Sequence, residues 1–60
     1  MTNDEIRNLI ATLERESDRR LEKYRNRASD GKMEQARYHY GVSGGLQYAI
    51  GALEACIRDE

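Results

Sequence analysis

The stretch SDGK, residues 29–32, is the only clear break in a chain of 60 residues that otherwise favours helix. Gly31 can take the left-handed conformation that ends a helix, and Ser29 or Asp30 can cap the helix that follows. The chain has no proline, which favours continuous helix on either side of the break. The sequence therefore predicts an all-α protein in which two helices are joined by a turn at residues 29–32.

The first predicted helix covers about residues 3–28. Thr2 and Glu5 have the spacing of a capping box, which places the beginning of the helix near residue 3. Its apolar side chains recur at helical spacing and form one stripe, while the opposite side is charged. We assign five residues of this helix to the core of the structure: Ile6, Leu9, Ile10, Leu13 and Tyr24.

The second predicted helix covers about residues 32–58, and a link this short makes the two helices an antiparallel hairpin. We treat residues 1–60 as a single domain. One face of the second helix, centred on Leu46, is apolar and is expected to pack against the first helix. The residues assigned to this face of the hairpin core are His39, Val42, Leu46, Ala49, Ile50, Leu53 and Ile57.

The opposite face of the second helix carries glycine and alanine where a solvent-exposed helix would carry charge. No Asp, Glu, Lys or Arg lies between Tyr38 and Leu53, and four of the five glycines lie between Gly41 and Gly51. A glycine inside a helix costs about 0.8–1 kcal/mol relative to alanine, so the close approach of another helix or a flat ligand must offset it. We predict an oligomer interface made by Gly41, Gly44, Tyr48, Gly51, Ala52 and Ala55.

The sources of stability open to so short a chain also favour self-association. A small domain usually needs a disulfide, a metal or a partner chain. Cys56 and His39 are the only cysteine and the only histidine, which excludes an intrachain disulfide and a Cys/His zinc site. We therefore expect a homo-oligomer, most simply a dimeric four-helix bundle or else a higher oligomer, with no metal and no cofactor.

Tyrosine, arginine and glycine occur together around this face in a combination that suits a nucleotide-sized ligand at a subunit interface. Tyrosine rings stack on bases, arginine binds phosphate through paired hydrogen bonds, and glycine lets a ring approach the backbone. Two other interpretations stay open: the glycines only allow close packing at an oligomer seam, or the Gly44–Gly45 pair breaks the helix into two pieces with a kink. The predicted ligand-binding residues are Arg37, Tyr38, Tyr40, Gly44 and Tyr48.

Other function classes find less support in the sequence. His39 is expected to be a core histidine bonded to a neighbour such as Tyr24 or Ser17, and no arrangement of residues suits a catalytic site, so no enzymatic activity is expected. Residues 19–27 are locally basic, but the formal net charge of -1 gives no general attraction to duplex nucleic acid or to membranes. The N-terminus does not resemble a signal peptide and the uncharged stretch is too polar for a membrane span, which predicts a cytoplasmic protein.

The run LQYAIGALEACI, Leu46 to Ile57, resembles the last-helix pattern of small helical-hairpin phage proteins that sequester cyclic nucleotide signals of bacterial defence, the anti-CBASS and anti-Thoeris sponges. The resemblance covers 12 of the 60 residues. It implies an anti-defence protein that acts in the host cytoplasm as an oligomer and binds a cyclic oligonucleotide between subunits without catalysis. The small size and the charged, proline-free composition also look like phage accessory proteins in general, including anti-CRISPR inhibitors. The alternative is therefore a protein-binding inhibitor or adaptor that covers a host defence protein, in which the glycine face is only an oligomer seam.

Overall fold

The computed structural model of the protein describes residues 1–57 and contains two α-helices that pack against each other as an antiparallel hairpin. Helix α1 covers Asn3–Ser29 and helix α2 covers Met33–Glu54. The hairpin is a rod with dimensions of 48 × 14 × 13 Å. No strand occurs among the described residues, so the predicted all-α hairpin is confirmed.

The beginning of α1 is a complete capping box. The Thr2 hydroxyl oxygen accepts a hydrogen bond from the Glu5 backbone N–H at 3.2 Å, and the Glu5 carboxylate accepts one from the Thr2 backbone N–H at 3.4 Å. These bonds satisfy two of the amide groups that the first turn of a helix leaves unpaired. The sequence pattern therefore located this end of the helix correctly.

The turn between the helices is a Schellman motif centred on Gly31. Gly31 has a φ of 78°, its N–H donates to the Ala28 carbonyl oxygen at 3.1 Å, and the Lys32 N–H donates to the Arg27 carbonyl oxygen at 2.8 Å. The expected cap of the second helix is wrong, because Ser29 is still in α1 and the N-cap of α2 is Lys32, which forms no side-chain capping bond.

The end of α2 comes earlier than the predicted residue 58. The helix ends at Glu54, and Ala55 and Cys56 form a turn in which the Cys56 and Ile57 N–H groups donate to carbonyl oxygens three residues back, at 3.0 and 3.2 Å. Such tighter bonds are common in the last turn of a helix. Arg58, the predicted last helical residue, lies outside the described residues.

The two helices meet along one seam that follows a heptad repeat. The residues that face the partner helix alternate at spacings of three and four, which is the pattern of a coiled coil, and all of them are buried or half-buried. Ile6, Ile10 and Ile50 form the apolar cluster, with Leu13, Leu53 and Ile57 packed against it at the open end of the hairpin. The seam consists of Ile6, Ile10, Leu13, Ser17, Arg20 and Tyr24 in α1, and of Ala36, His39, Ser43, Leu46, Ile50, Leu53 and Ile57.

The structure changes the predicted core in several places. Leu9 is 37% exposed, because a single partner helix covers only a narrow stripe of α1. Ala36, which has no exposed surface, belongs to the core although the sequence did not indicate it. Tyr24 contacts the ring of Tyr40 rather than pairing with His39, and it is half-buried. The other residues assigned to the second helix, Val42, Leu46 and Ala49, are half-buried.

The centre of the seam is polar rather than apolar. The Ser17 and Ser43 hydroxyl oxygens are 2.9 Å apart, and both residues are buried. The Gln47 amide donates a second hydrogen bond to Ser17 Oγ, also at 2.9 Å. Since polar groups in the seam are paired only in the correct register, this network fixes the alignment of the two helices.

Candidate functional site

The outer face of α2 is defined as Arg37, Gly41, Gly44, Tyr48, Gly51 and the C-cap residue Ala55; it lies opposite the seam and is exposed. Its residues also alternate at spacings of three and four, so they form a straight stripe along the helix. A methyl group added at any of these glycines would meet no atom within 4 Å. All six residues predicted for the oligomer interface, which include Ala52 beside the stripe, are therefore uncovered in the single chain.

Helix α2 is continuous through Gly44 and Gly45. Both residues are helical, and neither has a positive φ. The interpretation that the Gly44–Gly45 pair breaks the helix into two pieces is therefore wrong. The helix instead exposes its backbone at Gly41, Gly44 and Gly51, in or beside which stand tyrosine side chains that are 59–84% exposed.

A recess of about 370 Å³ lies at one edge of the outer face, near the turn between the helices. It is lined by Tyr24 from α1 and by Met33, Arg37, Tyr40 and Gly41 from α2. The rings of Tyr24 and Tyr40 are tilted by 55°, with centroids 5.2 Å apart, and form one wall. The recess is at the lower end of the volume range of small-molecule sites.

The recess also contains a cation that is free to bind a ligand. Arg37 is exposed and forms no ion pair within residues 1–57. Its guanidinium can therefore offer its donors to a phosphate or carboxylate beside the two tyrosine rings. Gly41, which has no side chain, leaves the helix backbone open to a flat group at this point.

The predicted ligand-binding residues divide into two groups in the structure. Arg37 and Tyr40 line the recess together, whereas Gly44 and Tyr48 lie further along the outer face. Tyr38 contacts the His39 ring, with centroids 5.2 Å apart, and does not line the recess. Tyr24, which was assigned to the hairpin core, and Met33 also line the recess, although neither was predicted as a ligand-binding residue.

His39 lies in the seam between the helices and is held as a neutral imidazole. The Arg20 guanidinium is 3.1 Å from His39 Nδ1, and since a guanidinium only donates, Nδ1 accepts and the proton is on Nε2. Burial lowers the pKa of His39 below 6.5, and the charges of Arg20, Lys23 and Arg27 lower it further. The predicted partners of His39, Tyr24 and Ser17, are replaced by Arg20.

The hydroxyl groups of Ser17 and Ser43 and the thiol of Cys56 are hydrogen-bonded within the hairpin. Ser17 Oγ is hydrogen-bonded to Ser43 Oγ and accepts from the Gln47 amide, so the partners of these two hydroxyls are not bases that would activate a nucleophile. Cys56 is exposed and donates to the Ala52 carbonyl oxygen at 3.4 Å. Within residues 1–57 no three His, Cys, Asp or Glu side chains are grouped as metal ligands, and neither helix is long and apolar enough to cross a membrane.

No protein-family model, curated protein or solved structure matches the chain. The resemblance of Leu46–Ile57 to phage sponge proteins therefore stays a prediction.

Proposed function

We propose that the protein is a non-enzymatic binding protein that sequesters an anionic nucleotide in the recess beside Arg37. One observation carries this proposal: an exposed guanidinium without an ion pair among the described residues lies next to two tyrosine rings and a glycine, in one recess of about 370 Å³. The charged group suits phosphate, and the rings suit a base.

Each part of the recess has a separate task in this proposal. Arg37 binds the phosphate through two parallel N–H···O bonds, which a lysine cannot reproduce. Tyr40, with Tyr24 behind it, offers a ring on which a base stacks. Gly41 lets the edge of the base reach the helix backbone. Because one of these contacts is electrostatic and exposed, binding should weaken as the salt concentration rises.

The specific form of the proposal is a cyclic oligonucleotide bound between subunits, as the resemblance of Leu46–Ile57 implies. Arg37 and Gly41 belong both to the recess and to the outer face of α2. A second subunit on the outer face would therefore border the recess and enclose a ligand that the single hairpin leaves open to solvent.

A thermal-shift screen followed by calorimetry tests the proposal, with mononucleotides, linear dinucleotides and cyclic di- and trinucleotides as probes. A ligand at a hundred times its dissociation constant stabilises the folded protein by about 2.7 kcal/mol. Tyr40→Ala should weaken binding by about 1–3 kcal/mol through lost stacking. Tyr38→Ala is the matched control, because Tyr38 is as exposed as Tyr40, at 62% against 59%, but lies outside the recess.

Arg37→Lys separates recognition of phosphate geometry from simple attraction of charge. The variant keeps the positive charge and loses the planar fork, so we expect binding about tenfold weaker, which corresponds to about 1.4 kcal/mol. Equal affinity of the Arg37→Lys and wild-type proteins would contradict a bidentate phosphate contact. No response to any nucleotide would reject the proposal and favour the alternative, a protein-binding inhibitor or adaptor.

A further inference from the structure

We propose that the outer face of α2 packs antiparallel against the outer face of α2 in a second copy of this chain, around a twofold axis. This inference concerns the assembly alone and does not rest on nucleotide binding. Three observations on the described residues support it: the composition of the face, the surface area of the hairpin and the placement of its charges.

The composition of the outer face is unfavourable for a helix that faces only water. Gly41, Gly44 and Gly51 each lower helix propensity relative to alanine. Nothing in the hairpin uses the space that they leave, because a methyl group at each position would meet no atom. Beside this bare backbone stands Tyr48, which is 84% exposed. A second helix would use both features, since a large side chain can pack where glycines leave a gap.

The hairpin exposes more surface than a compact monomer of the same mass would. The chain exposes 4622 Å², against about 4,000 Å² expected for a compact monomer of 6.9 kDa. The excess of roughly 600 Å² approaches the ~800 Å² that each partner buries in a specific interface. Two rods packed side by side along their length would remove surface of this size.

The register follows from the twofold symmetry. In an antiparallel pair that places Tyr48 opposite Gly44 of the second copy, Gly41 lies opposite Gly51 and Arg37 lies opposite Ala55. Each tyrosine then fills the gap left by the partner's glycines, and symmetry makes the contact twice. The arrangement is self-complementary, which a closed dimer requires.

The charges at the two ends of α2 favour the antiparallel direction. Arg37 and Glu54 are exposed, and neither forms an ion pair within residues 1–57. The register above brings Arg37 of each copy within one residue of Glu54 of the other along the helix axis, so two symmetric ion pairs can form. A guanidinium has five N–H donors, so a pair with Glu54 leaves donors of Arg37 for a phosphate in the recess. A parallel pair would instead set Arg37 against Arg37 and Glu54 against Glu54. Like charges in such positions are destabilising.

A charge-swap experiment with the full chain tests both the interface and its direction. Sedimentation velocity of the wild type should give twice the chain mass of 6.9 kDa. Arg37→Glu and Glu54→Arg should each weaken the dimer about tenfold, because attraction turns into repulsion at two places. Mixing the two variants should restore the dimer, as should combining both changes in one chain. Arg25→Glu and Glu22→Arg, at exposed positions of α1, are the matched controls and should leave the mass unchanged.

A second pair of variants tests the close approach of the helices. Gly44→Ala should raise helix content, which circular dichroism measures, and yet weaken the dimer about tenfold, since the added methyl group meets Tyr48 of the second copy. Tyr48→Ala should weaken the dimer while Tyr38→Ala leaves it intact. A folded wild type at the monomer mass would overturn the proposal. A dimer that the charge swaps and the Gly44 and Tyr48 variants all leave unchanged would also overturn it, because the interface would then lie elsewhere.

Discussion

The two helices of this hairpin face each other along one seam, but their outer faces differ in charge. Thirteen of the 27 residues of α1 are charged, against three of the 22 in α2, so only α1 has the outer face of a helix in water. All the ion pairs among the described residues, Asp4–Arg7, Glu16–Arg19 and Glu16–Arg20, also lie within α1. In the dimer proposed above, the nearly uncharged outer face of α2 is the contact surface, and the charged outer face of α1 faces water.

The largest expected effect is a loss of dimer affinity when a charge is placed on the outer face of α2 rather than on that of α1. Gly44→Glu puts a carboxylate at the centre of the proposed α2 interface and should weaken the dimer by about 3–5 kcal/mol, the cost of burying an unpaired charge. Thr12→Glu puts the same group on the exposed side of α1, where it stays in water, so dimerisation should not change. Sedimentation equilibrium measures both, and equal behaviour of the two variants would remove the distinction between the outer faces.

The second-largest expected effect is a change in the free energy of unfolding when the seam between α1 and α2 is altered. Ile10 is 8% exposed, and Ile10→Ala should lower the free energy of unfolding by about 2–3 kcal/mol through lost burial and a remaining cavity. The adjacent Leu9 is 37% exposed, and Leu9→Ala should cost less than about 1 kcal/mol. Urea denaturation of both variants provides the comparison. A larger loss for Leu9→Ala would mean that α1 is covered on a second side in the assembly.

The polar centre of the seam should give a smaller effect. Ser17→Ala removes the hydroxyl that bonds to Ser43 and Gln47, so it should destabilise the hairpin by about 1–2 kcal/mol. Ser17→Ala combined with Ser43→Ala should cost less than the sum of the two single changes, because no buried hydroxyl is then left without a partner. Additive losses, measured by a double-mutant cycle in urea, would contradict coupling between the two hydroxyls.

The sequence allowed prediction of the helices and of most of the apolar residues of the seam, but not of the Ser17–Ser43 hydrogen bond at its centre. The capping box at Thr2 and the left-handed Gly31 are local signals, and the isoleucines at the open end of the hairpin are apolar enough to identify. Ser17 and Ser43 carry no hydrophobic signal, so only their positions in the heptad reveal that they are buried. The end of α2 at Glu54 was missed for a similar reason, since Ala55 and Cys56 do not oppose helix.

Residues of the candidate site were predicted from the sequence only in α2. Arg37 and Tyr40 were identified because their residue types in α2 suit a nucleotide. Tyr24 was assigned to the core, and its place in the recess depends on the pairing of the two helices, which brings its ring to Tyr40. Composition also could not separate Tyr38 from Tyr40, because two neighbouring tyrosines differ in their surroundings only once the second helix is in place.

The smallest expected effect is the contribution of His39 in α2 to the pH dependence of stability, which the charged side chains of α1 influence. Burial, and then Arg20, Lys23 and Arg27 of α1, lower the pKa of His39 in the folded protein below its ordinary value of 6.5. Near and below pH 6.5 the unfolded chain therefore binds more protons than the folded one, so stability is fully present above this pH and falls on acidification towards the folded pKa. His39→Gln, which has no group titrating in this range, should show a smaller fall in melting temperature between about pH 7 and pH 5.5. The carboxylates are common to both proteins and cancel in the comparison, so identical pH profiles would contradict the influence of α1 on this site.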